Sequence, residues 1–149
     1  MSGREEFVRQ FRRIQPKFSR FYARLLTEAG LSLPQFALLS QLLARGAVSM
    51  TEVSAKLHIS KPAVTNLVDR LERKKYLKRL PHSEDRRVSL LQILPRGEKL
   101  VRKAQGEVLN FILKTLREFD RGEQKIITRF YTRLSETLDR ALLSRERKG

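Results

Sequence analysis

Lys61, Thr65 and Asn66 share one side of a short stretch that opens Ser60-Lys61-Pro62-Ala63, and Arg86 and Arg87 follow on a polar turn. Their chemistry is recognition rather than bond-making. An asparagine amide can pair bidentately with adenine, and a lysine amine can reach the acceptors of guanine. Pro62 and Ala63 offer apolar contact to a thymine methyl. Ser60, Arg70, Arg73 and Lys74 are better suited to phosphate oxygens, which position a protein on a duplex without carrying sequence information. Together these residues suit the major groove of DNA.

The residue types needed for catalysis do not converge. His58 and His82 are the two histidines, and neither has an acid, a nucleophile or a second ligand at a recognisable spacing. Both read as structural or surface residues. The chain has no cysteine, which excludes disulfides, thiolate metal sites and thiol redox sensing. No glycine-rich phosphate loop or zinc spacing is present. The expectation is a protein that is not an enzyme and has neither cofactor nor metal.

The recognition residues require a helix with a buried back. Val64, Leu67, Val68 and Leu71 recur at the i, i+3, i+4, i+7 spacing of such a stripe. Ser60 can cap the first turn, and Pro62 sits where a missing N–H costs nothing. A helix over about 60–74 follows. Upstream, Ser49-Met50-Thr51-Glu52 is a capping box opening a short helix through about Leu57, so two short helices meet through a turn at His58–Ser60. Ser32-Leu33-Pro34-Gln35 is a second capping box. It opens a strongly apolar helix with Phe36, Leu38, Leu39, Leu42 and Leu43, ending near Arg45-Gly46.

Downstream, Tyr76 to Leu80 and Val88 to Leu94 are strand candidates joined by a turn around Pro81–Asp85. Helix, helix and basic hairpin make a winged helix-turn-helix. On either side lie longer apolar seams. Phe7, Phe11, Ile14, Phe18, Phe21 and Leu25 alternate steps of four and three, with Pro16 expected to kink or split their helix and Gly30 to stop it. After Pro95 comes a long helix carrying Leu100, Val101, Ala104, Val108, Phe111, Ile112, Leu116 and Phe119. A cap at Asp120 opens a last helix with Ile126 or Ile127, Phe130, Leu134, Leu138 and Leu142. The charged end, Ser144 to Gly149, is expected to fray.

With 149 residues and 40% hydrophobic residues, the chain can bury one real core. Its net charge of +16 favours a polyanionic partner. That charge is spread as +5, +5 and +6 over residues 1–48, 49–94 and 95–149, so coarse charge does not locate the site. The longest uncharged run, Ala29 to Ala44, is too short to span a bilayer. A cytoplasmic protein without a membrane partner is expected.

The motifs and their order resemble the MarR family of transcription regulators over nearly the whole chain. Leu31-Ser32-Leu33-Pro34-Gln35-Phe36 resembles the start of that family's second helix, and Ile59 through Glu72 resembles its recognition helix closely. Asp85-Arg86-Arg87, leading to Gly97, is similar to its wing signature. Where the family usually has a threonine before the long helix, this chain has Leu94-Pro95. The resemblance implies a mainly α fold with a small β-hairpin wing. Residues 31–94 would form the winged helix-turn-helix, and 1–30 with 95–149 the helices of an obligate homodimer. It implies binding to double-stranded DNA at a pseudo-palindromic operator, more often as a repressor. Within that frame the wing, 81–88, enters the minor groove with Arg87 inserted and Arg86 beside it, while Asp85 holds an arginine by a charge-assisted hydrogen bond. Asp69, Glu72 and Lys75 read as a solvated face. The family also leaves room for a small-molecule effector of unknown identity. Phe7, Phe11, Phe18, Tyr22 and Phe36 could line its pocket, although plain core is the preferred reading of those aromatics. The competing class is a non-specific architectural DNA-binding protein.

Overall fold

Serine caps set where the helices begin. In the computed structural model, which describes residues 2–146, Ser2, Ser32 and Ser49 each close a capping box with Glu5, Gln35 and Glu52, and Ser60 caps a fourth helix through the Ala63 amide. The resulting order is α1 (Gly3–Ala29), α2 (Leu33–Arg45), β1 (Val48–Ser49), α3 (Met50–Leu57), α4 (Lys61–Arg73), β2 (Leu77–Pro81), β3 (Ser89–Ile93), α5 (Pro95–Leu116) and α6 (Arg121–Glu146). The Glu52 carboxylate accepts the Ser49 N–H at 2.7 Å, and this bond holds its pKa below the usual glutamate value.

Pro16 neither splits nor ends α1, which runs unbroken through it. A proline deletes one backbone bond, to the carbonyl four residues earlier. Here that residue is Arg12, which is exposed, so water can satisfy its carbonyl. Gly30 ends the helix as expected, in the left-handed region at φ 64°, with the Leu31 N–H donating to the Leu26 carbonyl at 2.9 Å.

The chain divides into a unit over residues 1–106 and one over 107–149. The core of the first is built from α2, α3, α4, the sheet and the start of α5, with Leu38, Leu39, Val53, Val68, Leu71, Leu77, Leu91 and Val101 fully buried. Of the two adjacent leucines in β3, Leu91 is the one that points inward. The sheet has three antiparallel strands in the order β1-β3-β2 rather than the two of a simple hairpin. β1 pairs Val48 with Leu91 and Ser49 with Leu90. Two residues are too few to show an alternation, and Ser49 doubles as the cap of α3, so this strand had no signal of its own.

Leu94 stands where a hydroxyl cap would be and contributes its carbonyl to the Glu98 N–H at 3.0 Å, with Pro95 opening α5. Gly97, in that first turn, lies against the backbone of Tyr76. A Cβ at Gly97 would stand 2.3 Å from the Tyr76 carbonyl oxygen, which already accepts the Leu94 N–H at 2.9 Å. Gly97→Ala is therefore expected to destabilise the fold by ~1–3 kcal/mol, as overpacking against backbone does. A shift in the urea midpoint at unchanged slope would register it.

In the second unit, Asp120 caps α6 by accepting the Gly122 and Glu123 amides at 2.7 and 2.9 Å, while Glu123 accepts the Asp120 N–H at 2.8 Å. The apolar seam of α6 is open to solvent in the single chain: Phe130 is 46% exposed, Leu138 54% and Leu142 60%. The seam of α1 is similar, with Phe7 and Phe11 each 53% exposed and Phe18 36%. These three aromatics are thus not the plain core expected of them, whereas Phe36 is buried and Tyr22 packs against the core. α6 is helical through Glu146; residues 147–149 of the expected frayed end lie outside the described residues. No helix among the described residues is long and apolar enough to cross a membrane.

Candidate nucleic-acid interface

The turn before α4 is held by backbone geometry and one hydroxyl. His58 ends α3 in the left-handed region at φ 52°, and the Ser54 hydroxyl donates to the Ile59 carbonyl at 2.7 Å. From there the Ser60 hydroxyl accepts the Ala63 amide at 3.3 Å and α4 begins. Its buried stripe of Val64, Val68 and Leu71 fixes the rotation of the helix, with Leu67 half-buried beside it. Lys61, Pro62, Ala63, Thr65, Asn66 and Arg70 are consequently exposed on one continuous surface. The Thr65 hydroxyl donates to the Lys61 carbonyl at 3.1 Å, so its oxygen is left to act as an acceptor.

The wing is β2 and β3, paired from Leu77↔Ile93 out to Pro81↔Ser89. Its tip is shaped by local bonds. The His82 N–H donates to the Val88 carbonyl at 3.0 Å, the Val88 N–H to the Asp85 carbonyl at 3.0 Å, and the Glu84 N–H to His82 Nδ1 at 3.1 Å. Asp85 was expected to hold an arginine side chain. Its carboxylate instead accepts the backbone N–H of Arg87 at 2.9 Å, an Asx turn that sets the tip and leaves both guanidinium groups exposed.

Two expected phosphate ligands are engaged elsewhere. Lys74, just past the end of α4, donates from Nζ to the Gly30 carbonyl at 2.6 Å, tying the recognition helix to the α1–α2 joint. Arg73 folds its Nε onto the Asp69 carbonyl at 3.3 Å. Lys75 is not part of a helix face at all. It holds φ 58° in the turn that ends α4, where the Lys75 and Tyr76 amides donate to the Glu72 and Leu71 carbonyls.

Asp69 and Glu72, expected as solvated acids, both bind Arg79 of β2. Arg79 Nη2 is 2.6 Å from Asp69 Oδ1, and Nη1 donates to Glu72 Oε2. The hydrogen bond to Asp69 is the largest cause holding the Arg79 guanidinium above its ordinary pKa. The pairing crosses ten residues and a helix-to-strand turn, beyond any local spacing rule.

Residues 31–89, from the start of α2 to the start of β3, match the model of the MarR family. These residues carry a winged helix-turn-helix of the MarR type. Proteins of that family are transcription regulators that bind DNA. Among solved structures, the transcriptional regulator Tm0710 from Thermotoga maritima is 29% identical and superposes with a TM-score of 0.72, over 93% of this chain and 97% of that one. The Bacillus subtilis HTH-type transcriptional regulator YsmB is 24% identical over 78% of this chain and 80% of its own length. The HTH-type transcriptional repressor MdtR, also of Bacillus subtilis, is 28% identical over 59% of this chain and 54% of its own, so the match spans about half of that relative.

Proposed function

We propose that this chain is a cytoplasmic, non-catalytic repressor of the MarR family that binds a pseudo-palindromic operator as a homodimer. The observation that carries the reading is a pair of separate, exposed DNA-suited surfaces on one rigid core: the α4 face and the wing tip. Lys61, Thr65 and Asn66 read base edges in the major groove, with Pro62 and Ala63 against thymine methyls. Ser60 and Arg70 contact phosphates. Arg87 enters the minor groove with Arg86 beside it, attracted by the negative potential of a narrow groove. The repressor name of MdtR favours that sign of regulation.

Residues 31–94 form the DNA-binding part in this proposal, and 1–30 with 95–149 the dimerisation region. The exposed seams of α1 and α6 support it, since contiguous apolar faces of this kind are disfavoured in water and suit a second copy. An effector would act by preferring one spacing of the two recognition helices over another.

Selection of bound sequences from a random DNA pool tests the reading. A palindrome with half-sites ~10 bp apart is the expected product. The even spread of the +16 charge favours the alternative, an architectural protein indifferent to sequence, and recovery of no preferred sequence would establish that instead. On the recovered operator, Asn66→Ala and Lys61→Ala should each cost ~1–3 kcal/mol and relax preference at one position per half-site. Unchanged preference in titrations against single-base variants would move the helix out of the groove.

A further inference from the structure

We infer that Arg79 is a positioning residue that holds the wing at a set angle to the recognition helix and offsets one of two carboxylate charges beside the DNA-facing surface. The inference rests on the DNA-binding reading above. Three features of the geometry lead to it. Leu77, at the root of β2, is fully buried and fastens the strand to the core. Arg79 comes two residues further out, and its guanidinium forks onto Asp69 and Glu72, one turn apart on α4. The Arg79 backbone N–H adds a third bond, to Glu72 Oε1 at 3.4 Å. Beyond Arg79 no hydrogen bond or ion pair among the described residues ties the wing to α4, and the tip is closed only upon itself.

The side chains of Arg79, Asp69 and Glu72 are 29%, 45% and 38% exposed. Ion pairs this open to water add little to folding stability, so the main consequence of the fork is geometric. It sets the distance between the base-reading face of α4 and the arginines of the tip, which must enter two grooves at once. The second consequence is electrostatic. Asp69 and Glu72 would repel phosphates if left unpaired, and one guanidinium bonds both and halves their net charge. Lysine cannot replace it, because an ammonium is a point charge without the planar fork.

Operator and random-DNA affinities of three chains decide the matter: wild type, Arg79→Lys, and Asp69→Asn with Glu72→Gln. Circular dichroism and thermal melting confirm that each is folded. Arg79→Lys keeps the charge, so its random-DNA affinity should stay within about twofold of wild type. Its preference for operator over random DNA should fall about tenfold, because the wing is no longer aimed. The double variant breaks the same fork from the acidic side and must lose preference as well. Its freed Arg79 should raise random-DNA affinity and steepen the salt dependence by about one contact per subunit. Retained preference in either variant overturns the inference, as does a parallel loss on both DNAs in Arg79→Lys. A wild-type chain without operator preference overturns the functional reading itself, and this inference with it.

Discussion

Raising salt from 50 to 200 mM is expected to weaken operator binding by about 10³–10⁵, the loss that accompanies six to ten phosphate contacts in a dimer. The contacts come from exposed groups that have no intramolecular partner among the described residues. Arg70 of α4 and Arg86 of the wing meet that condition, Ser60 adds a hydroxyl at the helix start, and Lys61 and Arg87 bring further positive charge within the grooves. Each phosphate contact contributes about −0.9 to the slope of log affinity against log salt. Arg70→Gln removes one contact from each subunit and should therefore make the dimer slope shallower by about two units. Lys74→Gln should leave it unchanged, since the Lys74 amine is bonded to the Gly30 carbonyl at 2.6 Å. Fluorescence anisotropy over a salt series reads both variants. A dimer slope shallower than about −3 would leave too few phosphate contacts for this placement of α4 and the wing.

Leu71→Ala is expected to destabilise the fold by ~2–5 kcal/mol, the range for a large aliphatic side chain removed from a packed core. Leu71 is fully buried, and its carbonyl accepts the Tyr76 N–H at 3.0 Å in the turn joining α4 to the wing. The side chain therefore supports both the rotation of the recognition helix and the departure of β2. Urea denaturation measures the loss, and operator titration of the folded fraction shows whether the reading face survives. A cost below ~1 kcal/mol would mean that the α4 stripe is not seated as described.

Much of the site was legible because its determinants are local. Serine caps declare themselves by a glutamate or glutamine three residues on, as at Ser49 and Glu52, and the bonds formed as that spacing implies. The stripe Val64, Val68 and Leu71 follows from helical periodicity, and burying it leaves one direction for Lys61, Thr65 and Asn66 to face. What was missed depends on residues far apart in the chain. Lys74 reaches Gly30 across 44 residues, and the α1–α2 joint carries no mark of being its acceptor. The fork on Arg79 needs a helix and a strand to be packed before three charges can meet. Pro16 leaves α1 unsplit for another reason: a helix interior tolerates proline where the orphaned carbonyl meets water, and exposure is a tertiary property.

The sequence by itself determined the order of the helices and of the two wing strands, the face of α4 that points outward and, through its motifs, the kinship to MarR-type regulators. These follow from caps, turns and periodicity, which act over a few residues. Only the tertiary structure decided which charges remain available. Seen in sequence, Arg70, Arg73, Lys74 and Arg79 are four equivalent cations. Folded, Arg73 lies on its own helix, Lys74 caps the end of α1, Arg79 holds the wing against α4, and Arg70 stands open to solvent. Long flexible side chains take whatever partner the packed backbone brings within about 3 Å, and no local pattern encodes that choice.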